Sequence, residues 1–264
     1  MSPVENRPAH LEPSELGTKE YWDKLYTNEL SNHAADPSDT GTVWFDDSDA
    51  EAKMVEFLCD LADADAGSDA LAKPATSILD LGCGNGSLLF ALRDEDWTGR
   101  ALGVDYSPQS VALARQVAAS KGSAAAPVEF REWDIIGGSM DAVLDSAQQG
   151  GWDVVLDKGT FDAISLSDER DAHGRRLCEG YCARVLRLVR RRGLFLVTSC
   201  NWTEEELTTW FARGAERRAA GAAAVAAAAG EDGGLDVVGR VQYRSFSFGG
   251  AKGQTISTMC FKKI

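Results

Sequence analysis

Hydrophobic and polar positions follow a regular alternation from residue 77 onward. Five short and almost uniformly apolar runs predict buried strands: Ser77–Leu81, Ala101–Asp105, Val128–Glu132, Trp152–Asp157 and Gly193–Ser199. Four stretches with helical spacing lie between them: Leu88–Arg93, Pro108–Ala119, Met140–Gln149 and Arg175–Leu188. Because strands and helices alternate, and because the strands are apolar on both faces, the pattern predicts an α/β fold with a mostly parallel sheet and helices on both of its faces.

The pattern changes after a helix predicted at Glu204–Ala215. Two strand-like runs, Leu235–Tyr243 and Thr255–Phe261, follow each other with no helix between them. Parallel neighbours need a long crossover connection, whereas antiparallel neighbours do not. These two strands are therefore expected to pair antiparallel at one edge of the sheet.

The first 61 residues show a different organisation. Residues 1–16 contain three prolines and no periodicity, which predicts a loose tail. Gly17–Leu30 has aromatic residues at helical spacing, so a short helix with an aromatic face is expected there. Residues 31–48 are polar and turn-like, and a helix is predicted at Asp49–Leu61.

These patterns predict one folded domain with an N-terminal lid. Residues 1–48 are expected to form the tail and lid, and residues 49–264 the domain itself. Residues 219–229 contain nine alanines in eleven positions. We interpret residues 219–234 as a low-complexity insertion without a chemical role.

Charge excludes several classes of function. The chain has 264 residues with 27 basic and 41 acidic side chains, a formal net charge of −14. Such a surface repels phosphate backbones, so no nucleic acid is expected as a partner. Residues 36–66 hold ten acidic residues and one lysine. This segment is either a solvated face or a surface that attracts a basic partner, and the sequence leaves both interpretations open.

Several absences narrow the setting. No apolar run approaches the roughly 18 residues of a membrane span, and the N-terminus lacks the pattern of a secretion signal. The six cysteines are scattered without a C-x-x-C pair, and only three histidines are present. No metal site is therefore expected, and a reducing, cytoplasmic location fits best. We also expect a monomer that does not bind membranes.

The strongest chemical motif is a glycine-rich loop directly after the first predicted strand. The run Ile78–Ser87 reads ILDLGCGNGS, with glycines at three alternate positions. Glycine is needed where a chain turns sharply and a ligand approaches the backbone. The spacing fails the G-x-G-x-x-G pattern of dinucleotide-binding proteins, and Asp80 before the loop would repel a pyrophosphate. The loop therefore favours a nucleotide-like ligand that carries a positive charge.

Two further carboxylates follow the next two strands. Asp105 ends the second strand, where a carboxylate can accept both hydroxyls of a ribose. Asp134 follows the third strand, where it can accept from an amino group such as that of adenine, with Ile135 packed on the ring. Three acids at three successive strand ends predict one shared site.

With these motifs the sequence resembles the seven-strand S-adenosylmethionine-dependent methyltransferases, over roughly residues 44–262. Within that group the segment Asp157–Asp162, DKGTFD, is similar to a group of protein-lysine methyltransferases. Four segments more specifically resemble the lysine methyltransferases of translation elongation factor 1 alpha. They are Leu16–Asp23, Val43–Phe45, Thr198–Thr203 and Phe246–Gly250.

The resemblance implies a Rossmann-like seven-stranded sheet with an antiparallel last strand. It also implies S-adenosylmethionine as the cofactor and a lysine-bearing protein, elongation factor 1 alpha, as the substrate. The expected cofactor-binding residues are Trp44, Asp80, Gly82, Cys83, Gly84, Asn85, Gly86, Asp105, Tyr106, Ser107, Asp134, Ile135 and Asp157. The expected catalytic residues are Asp157, Thr160, Phe161, Asn201 and Trp202.

The chemistry of methyl transfer to an amine explains these roles. The lysine must lose a proton, and an apolar mouth disfavours its ammonium form. Trp44, Phe45, Phe161 and Trp202 are the candidates for that mouth. Asp157 would orient the amine or accept a hydrogen bond from it, through its side chain or its backbone carbonyl, and Asn201 would supply a further polar contact. Lys158 is interpreted as a salt-bridge residue rather than a base. A small-molecule methyltransferase, a methyltransferase of another protein and a non-catalytic binding module remain the alternatives.

The acidic segment gives the first testable prediction. Residues 36–66 surround Trp44 and Phe45, so an acidic rim there would attract a basic protein substrate. Neutralising Asp46, Asp47 and Asp49 is expected to raise the KM for the protein substrate at low salt, measured in a steady-state methylation assay. An unchanged KM would leave the segment as an ordinary solvated face.

Overall fold

The structure is a computed structural model that describes most of the chain. The described residues are 8–64, 70–122, 127–145, 147–212, 233–244, 246–248, 251–253 and 255–264. The alanine-rich segment predicted as an insertion lies outside the described residues, apart from Gly233 and Gly234. So do the first seven residues of the predicted tail.

A seven-stranded mixed sheet forms the centre of the molecule. The strands are β1 (Ile78–Leu81), β2 (Ala101–Asp105), β3 (Val128–Glu132), β4 (Trp152–Lys158), β5 (Val189–Ser199), β6 (Leu235–Arg240) and β9 (Ser257–Lys263). Their order across the sheet is β3-β2-β1-β4-β5-β9-β6. The pairs among β1 to β5 are parallel, and β9 pairs antiparallel with both β5 and β6. The predicted fold class and the antiparallel last strand are confirmed.

A small hairpin interrupts the connection between the last two strands of this sheet. β7 (Phe246–Phe248) and β8 (Ala251–Gly253) pair antiparallel as a separate two-stranded sheet. The sequence pattern predicted only a connection there.

Seven helices are present among the described residues. They are α1 (Lys19–Ala35), α2 (Ala50–Ala64), α3 (Ser87–Asp94), α4 (Pro108–Lys121), α5 (Thr160–Ser165), α6 (Cys178–Leu188) and α7 (Glu204–Phe211). Among the described residues we find no helix with both the length and the apolar character needed to cross a membrane.

The two apolar layers of the core lie on opposite faces of the sheet. Successive side chains of a strand point to opposite faces. On β1, Leu79 and Leu81 join the layer that contains α6 and α7, whereas Ile78 joins the layer that contains α2 and α3. On β4, Val155 belongs to the first layer, and Val154 belongs to the second. This burial on both faces explains why the central positions of these strands are mostly apolar.

The predicted helix at Met140–Gln149 is wrong. Among the residues of this segment that the structure describes, only a single 3-10 turn forms, at Met140–Ala142. Asp145 draws the chain away from a helix because its carboxylate binds Arg100, with Nη1 to Oδ1 at 2.7 Å, and also accepts from the amide of Ala147 at 3.1 Å. A side chain that bonds its own local backbone in this way competes with helix formation.

The described part of the predicted loose tail is packed against the domain. The amide of Ser14 donates to the carbonyl of Leu166 at 3.1 Å. Arg176 donates to the carbonyl of Leu11 at 3.3 Å and to that of Ser165 at 3.0 Å. The sequence pattern did not predict these contacts, because on the side of the tail they are made by backbone groups and not by periodic apolar side chains. We call residues 8–49, which cross the carboxyl edge of the sheet and include α1, the N-terminal strap.

Gly17 shows how closely the strap approaches the domain. A Cβ atom at Gly17 would lie 2.2 Å from the carbonyl carbon of Leu166. Backbone atoms cannot yield as a side chain would, so Gly17→Ala should displace the strap and destabilise the fold by about 1–3 kcal/mol. The measurement is urea unfolding together with limited proteolysis, in which cleavage between residues 8 and 18 should become faster.

Gly180→Ala is the matched control for this prediction. Gly180 lies in α6, and a Cβ there would meet no atom within 4 Å. Because alanine favours a helix over glycine, this variant should gain about 0.5–1 kcal/mol and leave the proteolysis pattern unchanged. Equal behaviour of the two variants would contradict the packing that we describe for the strap.

Candidate active site

One cavity lies at the carboxyl edge of the parallel strands, under the N-terminal strap. Its volume is about 420 Å³. Loops that follow β1, β2, β3, β4 and β5 form its floor and sides, and residues of the strap cover it. Of the predicted site residues, those that line the cavity are Trp44, Gly82, Asp105, Tyr106, Asp134, Ile135, Thr160 and Asn201.

The glycine loop after β1 is tight because protein atoms occupy the space that side chains would need. Gly82, Gly84 and Gly86 have φ values of 64°, 54° and 82°. A Cβ at Gly82 would lie 2.0 Å from Oγ1 of Thr160, and one at Gly84 would lie 2.6 Å from the hydroxyl of Tyr26 in α1. The loop thus packs against the loop after β4 on one side and against the strap on the other.

Asp105 holds the glycine loop and faces the cavity. Its Oδ2 accepts from the amide of Gly84 at 3.1 Å, and its Oδ1 accepts from the amide of Ser107 at 2.9 Å. The residue is 6% exposed, and burial raises its pKa against the lowering effect of these donors. A carboxylate oxygen can accept more than one hydrogen bond, so Asp105 can still receive hydroxyl groups of a ligand.

The loop after β3 forms an apolar wall with one acid. Asp134 accepts from the amides of Ile136 and Gly137 at 2.8 and 3.0 Å, which fixes the turn. Arg184 of α6 supports the same turn from behind, since its Nε donates to the carbonyl of Ile135 at 2.6 Å. Trp133, which also lines the cavity, lies under the Arg184 guanidinium at 5.5 Å.

Several predicted cofactor residues have side chains directed elsewhere. The amide nitrogen of Asn85 donates to the carbonyls of Thr40 and Thr42 in the strap at 2.9 and 3.4 Å. Ser107 caps α4 through a contact with the amide of Ser110. These two residues serve the strap and a helix terminus rather than the cavity wall, and Cys83, Gly84 and Gly86 do not line the cavity either.

Asp80 is a buried acid beneath the glycine loop, outside the cavity lining. Burial raises its pKa to about 8, and Lys158 opposes the shift. Lys158 is partly buried, and its Nζ donates to the carbonyl of Trp44 at 3.1 Å and lies 3.8 Å from Glu51. Desolvation lowers the pKa of Lys158, while Glu51 and Asp80 act to raise it. These contacts agree with the salt-bridge interpretation of Lys158 and tie the strap to β4.

The predicted catalytic role of the Asp157 carboxylate does not match its placement. The side chain is fully buried and is absent from the cavity lining. Its oxygens accept from the amides of Thr160 and Phe161 at the start of α5, and from the hydroxyl of Tyr181 at 2.5 Å. Alternation along β4 puts Asp157 on the same face as Val155, toward α6. The carboxylate therefore caps a helix and holds a core tyrosine.

The predicted aromatic mouth is half correct in its placement. Trp44 and Phe45 line the cavity, where Trp44 packs on Trp22 with ring centroids 5.1 Å apart. Phe161 and Trp202 are instead 1% and 3% exposed and pack in the core, with their ring centroids 6.1 Å apart. The sequence could not reveal which face of α5 carries Phe161, because this helix has only six residues.

Sequence reasoning missed a second acid near the acceptor end and most of the strap. Asp162, Cys200, Leu16, Gly17 and Lys19 line the cavity but were not among the predicted site residues. Asp162 belongs to the same DKGTFD segment as Asp157, and its spacing of two residues from Thr160 gave no signal by itself. Leu16 and Gly17 lie in the segment Leu16–Asp23, whose resemblance to a family does not indicate which residues line a cavity.

Three comparisons with known proteins bear on this cavity. A methyltransferase-domain family model matches residues 72–238. Protein-lysine N-methyltransferase EFM4 of Saccharomyces cerevisiae is 38% identical over 255 residues, which cover 97% of this chain and 97% of that protein. The human EEF1A lysine methyltransferase 2 is 31% identical over 252 residues, which cover 96% of this chain and 88% of that protein.

A solved structure shares the fold. Magnesium protoporphyrin IX methyltransferase from Synechocystis PCC 6803, crystallised with bound S-adenosylmethionine, superposes with a TM-score of 0.52. The two sequences are 15% identical, and the match covers 90% of this chain and 97% of that chain. At this identity the likeness concerns the fold alone.

The burial of Asp157 predicts a specific dependence of stability on pH. Burial raises the pKa of Asp157 to about 7 from an ordinary 3.8. Because the pKa is higher in the folded state, Asp157 contributes its full amount to the free energy of unfolding below about pH 4. This contribution is lost as the pH rises through 7. Relative to Asp157→Asn, the wild type should therefore lose unfolding free energy between pH 4 and pH 8, by up to about 1.4 kcal/mol per unit of pKa shift.

Chemical denaturation at pH 4, 6 and 8 measures this difference. Asp171→Asn is the control, because the pKa of the exposed Asp171 carboxyl is lowered to about 2 and it stays ionised throughout this range. A stability difference between the wild type and Asp157→Asn that does not change with pH would show that Asp157 ionises as freely in the folded protein as in the unfolded chain.

Proposed function

Because the chain belongs to the protein-lysine N-methyltransferases, we propose that it transfers methyl groups from S-adenosylmethionine to a lysine of translation elongation factor 1A. The yeast relative is named a protein-lysine N-methyltransferase, and the human relative, of which the match covers 88%, is named for lysine methylation of that factor. One observation carries the proposal beyond the family. A single cavity runs from Asp105 and Asp134 at one end to Phe45 and Asn201 at the other, so a cofactor site and an acceptor site share one space.

The residues present fit S-adenosylmethionine in shape and in charge. The indole nitrogen of Trp44 is buried and has no hydrogen-bond acceptor among the described residues. A carboxylate of the cofactor would satisfy it, since an unpaired buried donor is costly. Asp105 offers acceptors for ribose hydroxyls, and Asp134 with Ile135 offers an acceptor and an apolar surface for adenine. We propose Trp44, Gly82, Asp105, Tyr106, Asp134 and Ile135 as the cofactor-binding residues.

The bound cofactor supplies a methyl group on a sulfonium, whose sulfur is an excellent leaving group. The protein has to align the amine with that group and exclude water. Trp44 and Phe45 of the strap cover the cavity and remove water from the acceptor end. An apolar environment also disfavours the ammonium form of the substrate lysine and so lowers its pKa. Thr160 and Asn201 line the same end, and we propose that they contact the acceptor.

We further propose that residues 1–48 act as the lid of a single catalytic domain formed by residues 49–264. Asn85 and Lys158 fasten this segment to the loops after β1 and β4. The net charge of −14 supports a basic protein as the partner rather than a nucleic acid. We expect the protein to work as a monomer in the cytoplasm, because its six cysteines fit a reducing compartment.

The proposal predicts transfer of label to one protein. Tritiated S-adenosylmethionine and the purified protein should label elongation factor 1A, and mass spectrometry should locate a single methylated lysine. Changing that lysine to arginine should abolish the labelling. Asp105→Asn is the matched inactive variant, because it keeps the shape of the side chain but weakens the acceptor for the ribose, and transfer should fall at least about 10-fold.

Two results would contradict the proposal. Labelling of other proteins in a cell extract, with none in elongation factor 1A, would support the protein-lysine methyltransferase activity but would show that this factor is not the substrate. Labelling of a metabolite fraction with no labelled protein would instead support the small-molecule alternative.

A further inference from the structure

The acceptor end of the cavity contains a buried carboxylate that no step of the proposed reaction has yet used. Asp162 is 4% exposed and lines the cavity beside Cys200 and Asn201. It lies in the first turn of α5, and its side chain points toward the carboxyl end of β5. The other carboxylate of the same segment, Asp157, does not line the cavity.

Hydrogen bonds hold Asp162 in a fixed orientation. The hydroxyl of Ser199 donates to Oδ1, and the amide of Cys200 donates to Oδ2 at 2.9 Å. A carboxylate offers about four acceptor positions on its two oxygens, so it can accept one further strong donor. The side chains of Cys200 and Asn201 are close enough to favour its charged form, and an ammonium group would be a stronger donor than either.

The charges around Asp162 favour a cation in this part of the cavity. The negative charge of Asp162 raises the pKa of Asp157 in β4 and the pKa of Cys200. The charge of Asp47 in the strap raises the pKa of Cys200 as well. The cation of Lys158 in this region is engaged by Glu51 and by the Trp44 carbonyl. A substrate that arrives as an ammonium would relieve this excess of negative charge.

We propose that Asp162 receives the ammonium group of the substrate lysine, orients it toward the methyl donor and accepts its proton before transfer. The inference rests on the proposed function and names the residue that performs its first step. The proton moves from the lysine nitrogen to a carboxylate oxygen, which leaves a neutral amine with a free lone pair and a neutral carboxyl group. After the methylated product leaves, the proton passes to water and the carboxylate is restored.

The environment of Asp162 suits a proton acceptor. Burial raises its pKa above the ordinary value, against the lowering effect of Ser199, Cys200 and Asn201. A base with a raised pKa lies closer to the pKa of a desolvated amine, which makes proton transfer easier. Asp157 is less suited, because it does not line the cavity and its oxygens bind the amides of α5 and the hydroxyl of Tyr181 in the core.

Asp162→Asn tests the inference because it removes the charge and keeps the shape. We expect kcat/KM for elongation factor 1A to fall about 10²- to 10⁴-fold at pH 7, the usual range for a lost proton acceptor. The difference in kcat/KM between Asp162→Asn and the wild type should become smaller as the pH is raised from 7 to 10, because more of the substrate amine is then neutral in solution. Affinity for S-adenosylmethionine, measured by calorimetry, should change less than 3-fold or so, as expected for a residue that does not bind the cofactor.

Ser199→Ala is the matched control for a structural role. The Ser199 hydroxyl donates to Asp162 and accepts from the amides of Asn201 and Trp202 at 3.0 and 2.8 Å. This variant loosens the turn and leaves the carboxylate in place without one donor that lowers its pKa. Its kcat/KM should therefore keep an acidic ionisation, moved to higher pH, whereas Asp162→Asn should lose that ionisation. If both variants lose activity equally and with the same pH profile, Asp162 only supports the turn and the inference is overturned.

Binding to the protein substrate gives a readout that does not depend on turnover. With S-adenosylhomocysteine present, the wild type should bind elongation factor 1A at least about 5-fold more tightly than the factor whose target lysine is changed to methionine. Asp162→Asn should lose this preference and bind both forms alike. A variant that keeps the full preference would show that another group receives the ammonium.

The remaining outcomes separate this inference from the proposed function. If the enzyme methylates a lysine of a different protein, parallel assays on a total protein extract reveal that protein. The wild type and Asp162→Asn are then compared on it. If Asp162→Asn does not fold, the pH dependence of kcat/KM of the wild-type enzyme tests the inference instead. The inference predicts that kcat/KM falls on the acidic side through a second ionisation, and a profile set by the substrate lysine alone would overturn it. No transfer to any protein by the wild type would overturn both.

Discussion

Four buried carboxylates at one edge of the sheet impose the constraint on which the rest of the structure depends. Asp80, Asp105, Asp157 and Asp162 are at most 6% exposed, and burial raises the pKa of each. Parallel strands end at the same edge, so acids at their carboxyl ends must lie near one another. Ionised carboxylates are expensive to bury without partners. The loops around them are therefore built as sets of hydrogen-bond donors.

Each donor set also shapes the cavity. The amides that stabilise Asp105 fix the glycine loop, those that stabilise Asp157 start α5, and those that stabilise Asp162 hold the turn after β5. Lys158 offsets part of the remaining charge on Asp80 and at the same time binds the strap through Trp44. Lys158 therefore links the strap that covers the cavity to the buried acid beneath the glycine loop. A cationic cofactor and a lysine substrate would neutralise the remaining negative charge.

The sequence predicted the sheet, its last antiparallel strand and the acids at the strand ends, because burial on both faces and strand–helix alternation leave a direct record in the residue types. It did not predict which face each acid occupies. Asp157 and Asp162 belong to one short segment, yet the alternation of β4 sends the first to Tyr181 and the turn into α5 sends the second to the cavity. Nor did it predict that the side chains of Phe161 and Trp202 pack in the core. The strap contacts at the backbone of Leu11 and Ser14 leave no apolar pattern in the sequence.

Calorimetry of cofactor binding in buffers of different ionisation enthalpy tests the balance of charge most directly. Burial raises the pKa of Asp80 to about 8, so most of this carboxyl is protonated at pH 7. A nearby cation lowers that pKa and releases the proton. The account predicts that S-adenosylmethionine, with its sulfonium, releases more protons on binding at pH 7 than the uncharged thioether S-adenosylhomocysteine. Equal proton release by both ligands, or none by either, would contradict it.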